Sequence, residues 1–312
     1  MTVQVKIIDN FLAQVIWENS QDANIFNYPG FLSSFSNIDF YGCFIDDDLV
    51  AVWPIYKNKD DIAEIPWNFY YFGPYIHDKI SSKKLHSKIQ KVFDIYEGYF
   101  FHFRSHFKEV NFSQHWRNQD IRYFKWLEEK YDFFNVSFEI KYTALIKNNY
   151  EIKNWRKLRV RQLKKIFNFK DNFFLNNKKT THNTSDYLSI IKDNIPENEF
   201  IKNKNLYKLM IEVCQEKGYC TKIIHKANSE LLGFGCILED RISHHMVFNF
   251  VKNEWKKKGL MVLLYKNLFT NCFDKNLIYF DFNGANSFKG AEEKSTFGSE
   301  QKLYFNIKLK YN

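Results

Sequence analysis

Residues 279–304 read YFDFNGANSFKGAEEKSTFGSEQKLY, and the parsing of the whole chain turns on them. Tyr279 to Phe282 alternate as a strand leaving a core does, and Asn283-Gly284-Ala285-Asn286 breaks that period. Lys289 follows in the loop, and Phe297-Gly298 precedes a last strand-like run, Leu303 to Leu309. A strand that ends near an acid, Asp281, and opens into an Asn/Gly loop with a mobile lysine suits an anionic or amine-bearing substrate. The same letters fit a hairpin connection whose glycines relieve backbone strain.

Working upstream, the pattern is strand, strand, strand, helix, strand. Tyr219 to His225, Leu231 to Leu238 and His244 to Val251 read as strands joined by polar turns. A helix from Trp255 to Phe273 then leads to Leu277 to Phe282. Two helices come earlier, Thr184 to Asn194 and Asn203 to Lys217, the second stopped by Gly218. The first half opens with a strand, Val3 to Ile8, and a short helix, Asn10 to Ser20. A hairpin of Phe40 to Phe44 and Leu49 to Tyr56 follows, then the ring-dense IPWNFYYFGPY at 65–75, which contains Tyr71. Ser81 to Tyr99 has the apolar spacing of a one-faced helix. Tyr99 to Phe103 reads as a strand with Arg104 at its end, and Glu139 to Ile146 as another strand. The polar run from Asn172 to Thr184 reads as a boundary or loop.

The chain has 312 residues, 45% of them hydrophobic and 19% aromatic, enough to fill one large core or two ordinary ones. Its formal charge of +9 points to anionic partners without naming them. The charge is densest from Lys153 to Lys170, where eight Lys or Arg residues follow Glu151 with no acid among them. That helix reads as a solvated bridge between domains, as a grip on a polyanion such as tRNA, or as a membrane-surface helix. Five scattered cysteines (43, 214, 220, 236, 272) lack metal-site spacing and read as buried free thiols, with no metal expected. No basic leader with an apolar run begins the chain, and no apolar run reaches the ~18 residues of a membrane helix. A cytoplasmic protein without a transmembrane segment is expected.

Asp281-Phe282-Asn283-Gly284, then Phe288-Lys289, then Phe297-Gly298 resembles the closing signature of the FemAB-like branch of the GNAT N-acyltransferase superfamily. Val251-Lys252-Asn253 to Lys256-Lys257-Lys258-Gly259 is similar to the acyl-donor turn of GNAT domains. The resemblance implies an α+β protein of tandem GNAT-like domains, each a mixed, mostly antiparallel sheet flanked by helices. The expected divisions are an N-terminal domain at 1–150, a basic bridging helix and linker at 151–183, and a C-terminal domain at 184–312. The implied function is transfer of an acyl group from acyl-CoA to a primary amine of a small-molecule or glycan-precursor substrate, in envelope or polysaccharide biosynthesis. One alternative is an aminoacyl-tRNA-dependent aminoacyltransferase acting on a cell-wall precursor, with tRNA gripped by Lys153 to Lys170. Another is a non-catalytic binding protein with a decayed GNAT fold.

The resemblance places the acyl-CoA co-substrate on Val251, Lys256, Lys257 and Gly259, where a pyrophosphate would meet the amides of a helix start. Met261 stands where the family pattern has Gly or Ala, which weakens CoA more than it weakens the fold. Asp281, Glu254 and His244 (or its neighbour His245) are the catalytic candidates. Tyr71, Arg104, Asn283, Lys289 and Tyr304 are the substrate-binding ones.

Overall fold

The computed structural model describes residues 2–58, 60–177 and 183–312. The chain folds into two compact units, Met1–Lys141 with Leu303–Asn312, and Tyr142–Lys302. The last ten residues thus return to the first unit, which the expected division at 150 and 184 does not contain. A strand's partner is chosen by tertiary pairing, and composition carries no trace of it.

The first unit runs β1 (Val3–Ile8), α1 (Asn10–Glu18), α2 (Pro29–Leu32), β2 (Ile38–Ile45), β3 (Asp48–Lys57), β4 (Ile62–Glu64) and β5 (Tyr75–Ile76). It continues with α3 (Asp78–Ser81), α4 (Leu85–Arg104), β6 (Glu109–Ser113), α5 (Arg122–Lys130) and β7 (Phe134–Lys147), whose second half belongs to the other unit. Its sheet order is β1-β2-β3-β4-β6-β13-β7, β13 (Glu300–Tyr311) being the returning strand, and β5 pairs with β3. The β4–β6 pair is parallel, whereas β1–β2, β2–β3, β3–β4 and β6–β13 are antiparallel.

Tyr99 to Phe103 is not a strand but the last turn and a half of α4. Tyr96, Tyr99, Phe100 and Phe103 recur at helical spacing and all four are buried. The run of rings hid this period, because every position looked apolar. Trp53 of β3 receives that face edge-on, with ring centroids 5.1 Å from Tyr99 and 5.2 Å from Phe103, and also meets Phe112 of β6 at 4.6 Å. Such pairs each add about 0.5–1.5 kcal/mol beyond burial.

The second unit continues with α6 (Lys157–Phe167), β8 (Phe173–Asn176), α7 (Thr184–Lys192), α8 (Glu197–Lys217), β9 (Tyr219–His225), β10 (Leu231–Glu239) and β11 (Ser243–Val251). Then come α9 (Asn253–Lys256), α10 (Leu260–Asp274), β12 (Tyr279–Asp281) and α11 (Phe288–Ser295). Its sheet order is β7-β12-β11-β10-β9-β8. Here too one parallel pair, β11–β12, stands among antiparallel ones.

Part of the expected loop at Asn172 to Thr184 is strand β8, paired with β9, and residues 178–182 lie outside the described residues. The expected helix from Trp255 is split, since Gly259 takes φ +96° between α9 and α10. The expected loop around Lys289 is helical from Phe288. Ser287 caps this helix, its Oγ accepting the Gly290 N–H at 3.1 Å. Both units carry a mixed, mostly antiparallel sheet flanked by helices. No described helix is long and apolar enough to cross a membrane.

Candidate functional site

In the second unit, β11 and β12 pair only where Ser243–His245 meet Tyr279–Asp281. Past that point β11 runs on to Val251 while the chain after Asp281 turns away, and the two strands part. Asn283 bridges the fork. Its Nδ2 donates to the Met246 carbonyl at 3.0 Å, its Oδ1 lies 3.1 Å from His245 Nδ1, and its backbone N–H donates to Asp281 Oδ1 at 2.8 Å. Asn283 takes φ +49°, a conformation that asparagine tolerates better than most residues, and Gly284 follows at +73°.

His245 is enclosed, with Nε2 2.8 Å from Asp240 Oδ2 and Nδ1 3.8 Å from Asp281 Oδ2. Burial opposes its charge, but Asp240, Asp281 and the Asn283 amide outweigh burial and raise it above the ordinary imidazole range. Asp240 Oδ1 also accepts the N–H groups of Ile242 and Ser243, at 2.9 and 2.8 Å. Asp281 is fully buried, and Thr143 Oγ1 donates to its Oδ1.

Lys294 of α11 completes the cluster. Its Nζ donates to the carbonyls of Phe282 (3.2 Å), Asn283 (3.1 Å) and Gly284. Burial pulls this lysine down to about 8, partly offset by Asp281 and Glu293. Asp240, Asp281, His245 and Lys294 thus converge around the fork. These contacts tie Asp281 and Asn283 to the start of the loop at 283–286.

His244, next along β11, projects to the other face of the sheet, as strand alternation requires. Its ring lies between Glu239 Oε2 (2.9 Å) and the Tyr219 hydroxyl (3.1 Å). Burial lowers its pKa, and its hydrogen bond, with Lys275, holds Glu239 down to about 2. His244 and Asp281 are thus enclosed, whereas Glu254 on α9 is exposed.

The expected donor residues gather at the start of α10. Val251 is buried, its carbonyl accepting from Asn194 Nδ2 at 3.0 Å, and Lys256 and Lys257 are exposed. Beside Gly259 sits α6, and a Cβ on that glycine would stand 2.5 Å from the Gln162 carbonyl oxygen. Lys165 Nζ donates to the Lys257 carbonyl at 3.3 Å. Met261 Sδ lies 3.2 Å from Asn249 Nδ2, which also donates to the Tyr265 hydroxyl at 2.6 Å.

The remaining substrate candidates do not join this group. Lys289 is exposed on α11. Tyr71, Arg104 and Tyr304 belong to the first unit. Tyr71 and Tyr304 are buried against each other at 5.1 Å, and the Arg104 guanidinium lies over the Phe133 ring at 4.3 Å. Reading the sequence missed Lys294 and Asp240. The only local hint was the acidic, Ser-capped AEEK run, since the three carbonyls that hold Lys294 meet it through tertiary structure.

No family model and no curated protein matches the chain. Solved structures match its fold. FemX aligns with TM-score 0.63 at 7% identity, over 97% of this chain and 96% of that one. L-PGS from Bacillus licheniformis aligns at 0.60 and 9% identity, over 97% and 92%. A tandem GNAT protein from the clavulanic acid biosynthesis pathway aligns at 0.54 and 8% identity, over 99% and 98%. With its forked parallel pair leading into a helix and an Asn/Gly loop, the chain has a GNAT-superfamily-like fold.

Proposed function

We propose that the chain is a tandem-GNAT acyltransferase of the FemAB-like kind that takes its acyl group from an aminoacyl-tRNA. The acceptor in this reading is a primary amine on a small molecule or glycan precursor. The observation that carries it is the cationic surface made where α6 meets the turn before α10. Exposed Lys157, Arg161 and Lys164 join Lys256 and Lys257 there, and none of the five pairs with an acid among the described residues. A phosphate polymer binds such a surface by releasing counterions. The pyrophosphate of CoA instead needs the bare amides of a helix start. Here the backbone of α6 at Gln162 packs closely against Gly259 at that helix start. The fold likeness to FemX and L-PGS, at 0.63 and 0.60 against 0.54 for the tandem GNAT protein, leans the same way.

The chemistry asks mainly for positioning, because an aminoacyl ester is already activated. The neutral amine attacks the ester carbonyl, the C–N bond forms and the ester C–O bond breaks. One proton leaves the nitrogen, and the departing tRNA hydroxyl oxygen takes one up. Of the three catalytic candidates only Glu254 is exposed, and this reading assigns the nitrogen's proton to it.

Filter binding of tRNA across a salt series tests the reading. Affinity falls steeply with salt, and the Arg161→Gln/Lys164→Gln double variant flattens the slope of log K against log salt by about 2. Thermal melting with acetyl-CoA and longer acyl-CoAs runs beside it. A salt-tolerant rise in Tm with one acyl-CoA, without tRNA affinity, overturns the tRNA reading in favour of a CoA donor.

A further inference from the structure

Cys220 on β9 and Cys236 on β10 stand directly opposite each other in the antiparallel register of the second unit, and their sulfurs are 2.7 Å apart. Both are thiols in this structure. Direct cross-strand partners carry their side chains on one face of the sheet. The Cα spacing of such a pair, about 4.5 or 5.5 Å, lies inside the range that a disulfide spans. The two residues are 16 positions apart along the chain, so no spacing motif announces them.

The face they share is the one covered by α7 and α8. Phe234, two residues before Cys236 and so on its side of β10, meets Tyr187 of α7 with ring centroids at 4.8 Å. Cys214 of α8 is buried there and shares a hydrogen bond with the Cys236 thiol. Gly235 faces the other way, toward Leu268 of α10. Cys272 is on α10, and its thiol donates to the Tyr279 carbonyl at 3.2 Å. Cys43 belongs to the first unit. Cys220 and Cys236 are thus the two cysteines whose backbone register already fits a bond.

We infer that Cys220 and Cys236 form a reversible disulfide site, oxidised by a small peroxide and reduced again by a dithiol. One thiol gives up its proton and attacks a peroxide oxygen, which leaves a sulfenic acid and releases one water. The second sulfur displaces that hydroxyl, which departs with the second thiol's proton as another water. Two thiols and one hydrogen peroxide thereby give one disulfide and two waters, the sulfurs supplying both electrons. Burial raises the Cys214 and Cys236 thiols and keeps thiolate scarce, so the reaction is slow and needs an oxidant about the size of water. Cys220 keeps 5% exposure against 0% for the other two, which makes it the sulfur that meets the oxidant first. The bond staples β9 to β10 beside the register shift between Cys236 and Ile237 in the β10–β11 pairing. The inference does not depend on the acyl-transfer reading.

Thiol counting and peptide mapping of the full chain test it. The reduced protein is held for hours with excess hydrogen peroxide in mildly alkaline buffer, alkylated in denaturant and digested without reductant for mass spectrometry. The expected result is loss of two of the five thiols, a peptide pair joined from Cys220 to Cys236, and recovery of all five thiols with dithiothreitol. Cys220→Ala and Cys236→Ala should each abolish the joined pair while keeping the circular dichroism spectrum. The wild-type peptide map decides the matter even if one variant folds poorly. Three results overturn the inference: all five thiols survive, the sulfurs go on to sulfinic or sulfonic acids with no link, or the link joins a different pair of cysteines.

Discussion

At single residues, the fork between β11 and β12 rests on His245 and Lys294 set beside Asp240 and Asp281. Lys294→Met leaves the carbonyls of Phe282, Asn283 and Gly284 without their shared donor. It should lower unfolding free energy by about 1–3 kcal/mol in urea titrations. An unchanged midpoint would mean that solvent already satisfies those carbonyls. His245 has a pH signature. Its pKa is raised in the folded protein, so its contribution is fully present below the ordinary value of 6.5 and is lost as pH rises through the higher folded value. The stability gap between wild type and His245→Gln should be widest in mild acid and narrow as pH increases. A gap that widens with pH would show that the ring is buried neutral.

Among elements, α6 meets the start of α10 in an exacting contact. Gly259 must adopt φ +96° and also leaves no room for a Cβ against the Gln162 carbonyl. Gly259→Ala should therefore cost about 2 kcal/mol or more, beyond the αL penalty alone. Denaturant melts check this, and a loss of only a few tenths would mean that α6 can shift aside. The same contact unites cations from two separate stretches of sequence. Lys153–Lys170 and Lys256–Lys258 each read as basic along the chain, and their packing brings Lys165 Nζ onto the Lys257 carbonyl. The error at Tyr99 to Phe103 is also an element-scale lesson. When nearly every residue is aromatic, strand and helix periods predict the same letters, and the partner Trp53 decides between them.

For the whole molecule, the assignment of β13 has a direct consequence. In the first unit it lies between β6 and β7 and buries Ile307 and Leu309. A chain ending at residue 302 should lose the first unit's cooperative unfolding, while the second unit's core around α10 stays protected. Limited proteolysis should then yield a resistant fragment within 142–302 and rapid cleavage before 141. Equal resistance of both units would show that the first one closes without this strand.

The strands Val3–Ile8 and Tyr219–His225, the hairpin after Ile38 and the strand-to-loop break at Asp281-Phe-Asn-Gly were legible because they rest on local period and turn chemistry. So was the basic character of α6. Tertiary structure alone decided the rest. It returned the last strand to the first unit, folded the ring-rich end of α4 as helix and drew Lys294 and His245 around Asp281 and Asn283. Those features arise from pairings between residues far apart in sequence, whose energies come from burial and charge neutralisation rather than from any neighbouring letter.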